Sequence, residues 1–364
     1  MSDRHDDKDE PIHLDDWDPP DTEEFGDDLD VAFIAAVEAK VATLRNLYVE
    51  SPRDHVLATQ FERLLVERDA GVEIRRWAGI VVKAYSGAGK TRMLKRFLGQ
   101  HPRVHGFGDA DAEPDFVHID VPSPVTNKSL GLEVLRTMYP QGRSAVELGK
   151  SSRKADAGVS DIWTEVRNMA AEAGVWGLWI DEAHDLRNGG PMMHDILQST
   201  IKRWMAHEHR PIIILSGTPN VEDIFLTREF RRRFLTVESP PLSVGVDTPH
   251  VRQMIAKYLR ATDLGVDKSL RDFMPRLLHA GTYQLGWTLN VVIEAIRVSL
   301  LEKAEKLSIE HFAESYAEIV QCEDKNNPFT ANDWSGIDTA VHRGRQPAEK
   351  KSRPRSPKRE ETPW

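Results

Sequence analysis

Residues 84–91 join an apolar run to a segment with helical spacing, and they read Ala84-Tyr85-Ser86-Gly87-Ala88-Gly89-Lys90-Thr91. A glycine-rich turn that ends in Lys-Thr, between a buried strand and a helix, is the context of a phosphate-binding loop. Gly87 and Gly89 let the backbone wrap closely, so that successive N–H groups meet phosphate oxygens at the positive end of the helix. The segment therefore predicts a site for a nucleoside triphosphate.

The side chains of this loop predict how the nucleotide is held. Lys90 is expected to bridge the β- and γ-phosphates, and Thr91 is expected to ligate Mg²⁺. Ala84 departs from the pattern, because the first position of such a loop is usually glycine. We predict ATP and Mg²⁺ as cofactors. The residues predicted to bind ATP are Ser86, Gly87, Ala88, Gly89, Lys90, Thr91 and Arg92.

A second apolar run ends in two carboxylates, in the order Gly177-Leu178-Trp179-Ile180-Asp181-Glu182. Asp181 is expected to hold the water shell of the magnesium ion, and Glu182 is expected to orient and polarise the attacking water. Two acids at a strand end are also common as a solvated turn. Together with the phosphate loop, however, they predict hydrolysis of the bound ATP.

Two more segments offer catalytic side chains. An apolar run leads into Ser216-Gly217-Thr218, where a hydroxyl could contact the γ-phosphate or the lytic water. We choose Thr218, with Ser216 as the alternative. The basic run 228–234 precedes the last predicted strand, and an arginine there could stabilise charge on a neighbouring subunit's nucleotide. A polar turn and a solvated helix end are the alternatives for these two segments.

Short apolar runs alternate with longer amphipathic stretches in the middle of the chain, which predicts an α/β fold. Runs that are almost wholly apolar suit a parallel sheet covered on both faces. Beyond about residue 248 only helical spacing continues. We predict a central parallel five-stranded sheet flanked by helices, followed by a small helical lid domain. The predicted strands are 79–85, 115–121, 176–181, 211–216 and 235–238.

Charge and composition divide the chain into units. The net charge is −10, and residues 1–30 hold fourteen Asp or Glu against two basic residues. Both ends are poor in large apolar residues, so neither offsets the entropy of ordering. Predicted helices at 31–47 and 58–68 are expected against the edge of the nucleotide-binding domain. The predicted units are an acidic disordered tail 1–30, a helical lead-in 31–75, a nucleotide-binding domain 76–245, a lid 246–322 and a basic disordered tail 323–364.

Several classes of protein are excluded by composition. No apolar stretch approaches the roughly 18 residues of a membrane span, and the amino terminus is acidic where a signal peptide carries a basic flank. The single cysteine, Cys322, cannot form an intrachain disulfide or a zinc cluster. We therefore expect a cytoplasmic protein that does not use a membrane as a partner.

Taken in order, these motifs resemble the AAA+ superfamily of P-loop NTPases, and more narrowly the TniB/TnsC-like ATPases of DNA transposition, relatives of the Mu B protein. In AAA+ relatives the finger arginine commonly precedes a phenylalanine, which indicates Arg233, with Arg231 and Arg232 as alternatives. Many relatives carry a lid arginine after a glycine, and Gly286-Trp287-Thr288-Leu289-Asn290 offers none. The narrower resemblance rests on Arg53, on Gly87-Ala88-Gly89-Lys90-Thr91 with Phe97 and His101-Pro102, on residues 122–130, on Ile180-Asp181-Glu182-Ala183-His184 and on Leu215-Ser216-Gly217-Thr218-Pro219.

The resemblance implies a homo-oligomer, either a ring or a helical filament with ATP, that coats double-stranded DNA and recruits a transposase. A target-selecting protein is a further implied partner, and hydrolysis is expected to control disassembly. Contacts with DNA are expected to be to phosphates and neutral to sequence. Solvated surface charge is the alternative for each candidate. The candidate DNA-binding residues are Thr126, Lys128, Lys150, Arg153 and Lys154.

Other classes share parts of this pattern. The letters Asp181-Glu182-Ala183-His184 also occur in helicases, but the residues after Thr218 predict helices and a tail instead of a second nucleotide fold. An ATPase of a secretion or cell-envelope system without a DNA role is the alternative function. Sequence alone does not separate hydrolysis as a timer from hydrolysis that performs mechanical work.

Overall fold

The computed structural model describes residues 31–70, 77–109, 111–138, 159–206, 211–224 and 228–339. Within these residues, five parallel strands form one sheet in the order β2-β3-β4-β1-β5. The predicted parallel five-stranded sheet is confirmed, with strand ends within about one residue of their predicted positions. The strands are β1 Gly79–Ala84, β2 Phe116–Asp120, β3 Gly177–Asp181, β4 Ile212–Gly217 and β5 Phe234–Ser239.

Helices flank this sheet and then form a bundle after it, which confirms the predicted helical region near the carboxyl end. A two-stranded parallel ladder, β6 Gly265–Val266 with β7 Lys306–Leu307, lies within the bundle. Among the described residues, no helix combines the length and apolar composition needed to cross a membrane. The helices are α1 Val31–Asn46, α2 Pro52–Asp69, α3 Lys90–Gln100, α4 Asn127–Met138, α5 Val159–Glu172, α6 Gly190–Met205, α7 Arg228–Arg231, α8 Val244–Thr262, α9 Met274–Ala280, α10 Leu285–Leu301 and α11 Ile309–Val320.

Both faces of the sheet are covered, which explains why its strands are mainly apolar. Strands β3 and β4 are buried at every position. Along β1 the side chains alternate, so that Val81 joins the core formed with α4 and α5, whereas Ile80 and Val82 join the core formed with α2 and α3. A strand covered on both faces buries every side chain, so successive apolar residues are stabilising.

Helix α2 belongs to the sheet instead of forming a separate lead-in. Its apolar residues recur every three to four positions, and Leu57, Phe61 and Leu64 are almost fully buried against the sheet face that α3 also covers. Ser51 and Asp54 form a capping box at its start, with Pro52 in the first turn. The helix packs against the nucleotide-binding domain and contacts its edge strand β5, but its apolar stripe also covers a sheet face.

Helix α1 packs in a different core from α2. Its buried residues Val37, Val41 and Leu44 join the hydrophobic cluster formed by the bundle helices α8 to α11. An ion pair between Arg45 and Glu294 of α10, 2.6 Å long, adds to this contact. The expectation that α1 also lies against the nucleotide-binding domain is therefore wrong. Helical spacing identifies the buried stripe of a helix but not the partner that covers it.

The ordered chain continues past the predicted end of the bundle. Residues 323–339, expected to be disordered, fold back onto it. Phe329 is buried beside Phe312, with ring centroids 5.3 Å apart, and Arg276 donates hydrogen bonds to the carbonyls of Pro328 and Ala331. Few apolar residues lie in this stretch, so composition concealed its buried residues, among them Asn327, Phe329 and Thr339. The predicted tail 1–30 and residues 340–364 of the predicted tail 323–364 lie outside the described residues.

Removal of the Phe61 ring tests whether α2 is an integral part of the sheet domain. Phe61→Ala leaves a cavity at a fully buried position, and we expect it to lower the free energy of unfolding by about 3–5 kcal/mol in chemical denaturation. Val66→Ala is the matched control, because Val66 lies on the same helix and is 67% exposed. A loss below about 1 kcal/mol for Phe61→Ala would mean that α2 is dispensable for the domain.

Candidate active site

The phosphate loop leaves the carboxyl end of β1 and requires glycine at two positions. Gly87 has φ +78° and Gly89 has φ +87°, a left-handed conformation that residues with a Cβ rarely adopt. Gly89 is the N-cap of α3, which begins at Lys90. The Lys90 side chain is buried and donates a hydrogen bond of 3.2 Å to the carbonyl of Ala84. The structure therefore gives this segment the loop shape that its sequence predicts.

Thr91 and Asp181 meet at the carboxyl edge of the sheet. Thr91 Oγ1 donates to Asp181 Oδ2 over 2.5 Å, and Asp181 is only 1% exposed. A hydroxyl beside a carboxylate is the kind of oxygen pair that holds Mg²⁺ through direct or water-mediated contacts. These two predicted metal-binding residues are therefore close enough to share one ion.

Ser216, not Thr218, is the hydroxyl in contact with this carboxylate. Ser216 Oγ donates to Asp181 Oδ1 over 2.5 Å and accepts a hydrogen bond of 2.6 Å from the indole N–H of Trp179. Thr218 Oγ1 is buried and has no hydrogen-bond partner among the described residues. The structure thus places Ser216 in the network around Asp181 and places the hydroxyl of Thr218, our chosen residue, outside it.

Glu182 follows Asp181 in a strained conformation. Its φ of +49° is unusual for a residue with a side chain, and its own N–H donates to Asp181 Oδ1 over 2.9 Å. Its carboxylate is half exposed, with Oε2 lying 3.1 Å from Nδ1 of His184. The same nitrogen lies 3.5 Å from the N–H of Thr218. His184, which we noted only as part of the resemblance, therefore joins the two predicted catalytic segments.

Sequence reasoning missed two residues of β2 that lie beside Asp181. The donor atoms of His118, Asp120 and Asp181 lie within 4.8 Å of one another, and Asp120 is the register partner of Asp181. The His118 ring stacks on Trp179 with centroids 3.9 Å apart, and burial lowers the pKa of its imidazole. The missed signal was that Asp120 ends a predicted parallel strand, as Asp181 does.

A cavity adjoins the phosphate loop. The segment between α1 and α2 forms one wall, and the start of α10 forms another. Arg92, predicted to bind the cofactor, lines this cavity and donates a hydrogen bond of 2.8 Å to the carbonyl of Leu47. Aromatic and apolar side chains beside a phosphate loop suit a nucleoside. Further lining residues are Tyr48, Met254, Tyr258, Leu285 and Leu289.

Arg53 fixes the phosphate loop from the side of α2. Its guanidinium donates to the carbonyl of Ala88 over 3.1 Å and to the hydroxyl of Ser239 at the end of β5. Burial lowers the pKa of Arg53, although an arginine stays charged at neutral pH. Arg53 entered the sequence analysis only as part of the resemblance, and the structure shows it in contact with the loop itself.

Arg233 lies at the opposite end of the sheet from the phosphate loop. Its carbonyl accepts a hydrogen bond from Ala78, just before β1, and Phe234 after it pairs with Gly79. The loop leaves the other end of β1, about 20 Å away for a strand of this length. Arg231, one of the alternatives, is paired with Glu222 at 3.1 Å. Arg233 and the loop of the same chain are therefore not brought together.

The predicted DNA-binding residues are placed only in part. Thr126 and Lys128 are exposed at the start of α4. The Thr126 hydroxyl accepts a hydrogen bond of 2.9 Å from the N–H of Ser129, as a helix N-cap does. The other three candidates lie outside the described residues: Lys150, Arg153 and Lys154.

Comparison with known proteins provides evidence on the fold and on the domain that contains the phosphate loop. Residues 77–225 match the family model described as an AAA domain. The Orc1 protein of Aeropyrum pernix, solved in complex with DNA, is 13% identical, with 76% of this chain and 67% of that chain covered and a TM-score of 0.50. A search of curated proteins by sequence finds no match.

Two other solved structures are similar at lower scores. A Walker-type ATPase of Pyrococcus abyssi is 14% identical, with 76% of this chain and 74% of that chain covered and a TM-score of 0.48. The RuvB Holliday junction branch migration motor of Thermotoga maritima is 12% identical, with 74% and 70% covered and a TM-score of 0.42. The family match over residues 77–225 and the phosphate loop at Lys90 together support ATP hydrolysis by this domain.

Mutation can distinguish the hydroxyl of Ser216, which lies in β4, from the hydroxyl of Thr218, which follows β4. Ser216→Ala leaves the buried indole N–H of Trp179 without its acceptor, so we expect the free energy of unfolding to fall by about 1–3 kcal/mol. Thr218→Val removes a hydroxyl that has no partner in the described residues and keeps the side-chain shape, so it should be neutral or stabilising. Chemical denaturation measures both. Equal losses for the two variants would contradict the assigned hydrogen bonds.

Proposed function

We propose that this AAA-type ATPase binds Mg-ATP, assembles on double-stranded DNA as a ring or helical filament, and recruits a transposase to that DNA. The observation that carries the proposal is the meeting of Lys90, Thr91, Asp181 and Glu182 at one edge of the sheet. This arrangement supports nucleotide binding and hydrolysis. The DNA role rests on the resemblance to transposition ATPases described above. A target-selecting protein and a cytoplasmic location are parts of the same proposal.

In this proposal each residue of the site has one role. Backbone N–H groups of residues 86–92 and the Lys90 ammonium bind the phosphates, and Thr91 with Asp181 holds Mg²⁺. The ion, when bound, neutralises charge that develops on the phosphates. Glu182 orients the attacking water, and its half-exposed carboxylate beside His184 leaves an oxygen to accept a proton. Ser216 holds the Asp181 carboxylate in place from β4.

The position of Arg233 supports the proposed oligomerisation. A finger arginine must approach the γ-phosphate, and Arg233 lies at the end of the sheet opposite its own phosphate loop. In a ring or filament, that end of one protomer can face the loop end of the next protomer. We therefore propose that Arg233 acts on the nucleotide of a neighbouring copy of this chain, where it stabilises charge on the leaving phosphate.

Contact with DNA is proposed for the region where α4 begins. Helix α4 follows β2, so exposed Thr126 and Lys128 lie after the strand that ends beside Asp181. Short polar side chains and a lysine suit contacts with phosphates, which carry no sequence information. Lys150, Arg153 and Lys154 are proposed as further contacts. Such binding weakens steeply with salt, because each neutralised phosphate releases counterions.

The domain boundaries are proposed in a revised form. The nucleotide-binding domain includes α2 together with the sheet, since both share one hydrophobic core. The lid includes α1 and the residues up to 339, since both pack into the bundle core. The lid is then connected to the nucleotide-binding domain at two points, between α1 and α2 and again after β5. Two connections suit an ATPase whose assembly depends on its bound nucleotide.

Glu182→Gln and Lys90→Ala test the proposed function together. Glu182→Gln should keep ATP affinity and reduce turnover by about 10²-fold or more, because the water loses its base. Electron microscopy with ATP, Mg²⁺ and duplex DNA should then show long-lived oligomers on the DNA. Lys90→Ala should lose ATP binding in a direct titration and form no oligomers. Lys95→Ala, an exposed lysine of the same helix, is the matched control.

The outcomes of this experiment are distinct. Glu182→Gln oligomers that form with ATP but ignore DNA would favour the secretion or cell-envelope ATPase and reject the DNA role. Loss of oligomers in Glu182→Gln would favour hydrolysis that performs work over hydrolysis that times disassembly. Unchanged ATP affinity in Lys90→Ala would contradict the assignment of the phosphate loop.

Arg233→Ala should leave ATP affinity intact and lower turnover by about 10³-fold, the usual contribution of a finger arginine. A mixture with Lys90→Ala tests action between protomers. The Lys90→Ala protomers still carry Arg233, and the Arg233→Ala protomers still bind ATP, so mixing should restore part of the turnover. Full activity of Arg233→Ala alone would move the finger to Arg231 or Arg232.

A further inference from the structure

The lid helix α10 begins directly on the phosphate loop. The backbone N–H of Trp287, in its first turn, donates a hydrogen bond of 3.2 Å to the carbonyl of Gly87. Many helices leave the N–H groups of their first turn to water or to side chains. Here one of them is satisfied by the loop that the proposed function assigns to the phosphates.

This approach is possible only because both surfaces lack a Cβ. A Cβ on Gly87 would lie 1.9 Å from the indole ring of Trp287, and a Cβ on Gly286 would lie 2.5 Å from the carbonyl oxygen of Gly87. Atoms at those separations overlap, so either addition would move the helix off the loop. The indole of Trp287 therefore covers the loop at Gly87, where no Cβ blocks its approach.

Two consecutive peptide groups of the loop are held from outside. The carbonyl of Gly87 accepts from Trp287, and the carbonyl of Ala88 accepts from Arg53. A peptide group is planar, so fixing each carbonyl also fixes the direction of the N–H on the same plane, which belongs to Ala88 and to Gly89 respectively. The N–H of Gly89 is among those proposed to meet the phosphates, whereas the N–H of Ala88 donates to the carbonyl of Tyr85 over 3.2 Å within the loop. The lid and α2 thus set the orientation of these peptide groups through hydrogen bonds to the carbonyls of the loop.

The same contact reaches the interior of the lid. Helix α10 buries Val292 and Ile296 in the centre of the bundle core, and α1 packs against it. A rigid helix packed on several neighbours moves as a body, so a shift of the loop at Gly87 displaces the start of α10 and whatever is packed on it. The contact between Trp287 and the loop runs from its backbone N–H to the carbonyl of Gly87, so it requires no charge on the side chain.

We infer that Trp287 is a positioning residue that couples ATP in the phosphate loop to the placement of the lid. The inference rests on the proposed binding of ATP to this loop. It assigns to an uncharged aromatic ring the link between nucleotide and lid, at the position after a glycine where no arginine is present. Removing the contact should weaken ATP binding and should uncouple the lid from the nucleotide.

Tryptophan emission of the full chain tests this coupling. ATP should change the emission of the unmodified protein, because the indole of Trp287 lies on the loop that ATP occupies. Trp287→Phe should abolish that change and keep an aromatic ring at the position. Trp334→Phe is the matched control, because Trp334 belongs to the same bundle and lies against His279 with ring centroids 5.4 Å apart. It should retain the full change.

Gly286→Ala is a second variant that leaves every tryptophan in place. Its Cβ would overlap the carbonyl of Gly87, so we expect the ATP dissociation constant to rise about tenfold, the effect of losing one hydrogen bond. The ATP-dependent emission change should shrink as well. Isothermal titration measures the affinity, and thermal melting shows that the variant is folded.

The results separate this inference from the proposed function. If Trp287→Phe keeps the ATP-dependent emission change, or if Gly286→Ala binds ATP as tightly as the unmodified protein, the coupling through Trp287 is rejected while ATP binding stands. If the unmodified protein does not bind ATP in the titration, both the proposed function and the inference are rejected.

Discussion

The hydrogen bond between Thr91 and Asp181 joins helix α3, which follows β1, to the end of β3, and these two strands are not neighbours in the sheet. Thr91 follows β1 and Asp181 ends β3, while β4 lies between them and contributes Ser216 to the same carboxylate. One buried acid of β3 is thus bound both by β4 and by the helix that follows β1. Such a group is costly to bury unless its oxygens are satisfied, so the strand order, the loop and the hydroxyl of β4 depend on one another.

Much of this arrangement could be predicted from the sequence. Apolar runs located the five strands because strands covered on both faces carry apolar residues at every position. The loop at Lys90 and the acids Asp181 and Glu182 were recognisable because their chemistry demands particular residue types at strand ends. The structure confirms the sheet and brings Thr91 to Asp181. The roles assigned to these residues stay predictions.

Other features depend on which surfaces meet, and a sequence does not display that. The spacing of α1 and α2 revealed their buried stripes, yet these stripes pack into different cores. Thr218 and Ser216 are equally polar in the sequence, and only the turn of the strand decides which hydroxyl reaches Asp181. Trp287 entered the sequence analysis only because the segment from Gly286 to Asn290 lacks the lid arginine that many relatives carry. Its contact with Gly87 needs two glycines that lie far apart in the chain.

The placement of α1 in the bundle has a mechanical consequence. Among the described residues, the chain passes between the sheet domain and the bundle at two points, once through residues 47–51 and once after β5. A body connected at two separated points rotates most easily about the line through those two points. Rotation about that line would open and close the cavity between the two domains. The segment 47–51, which lines the cavity, would be one of the two hinges.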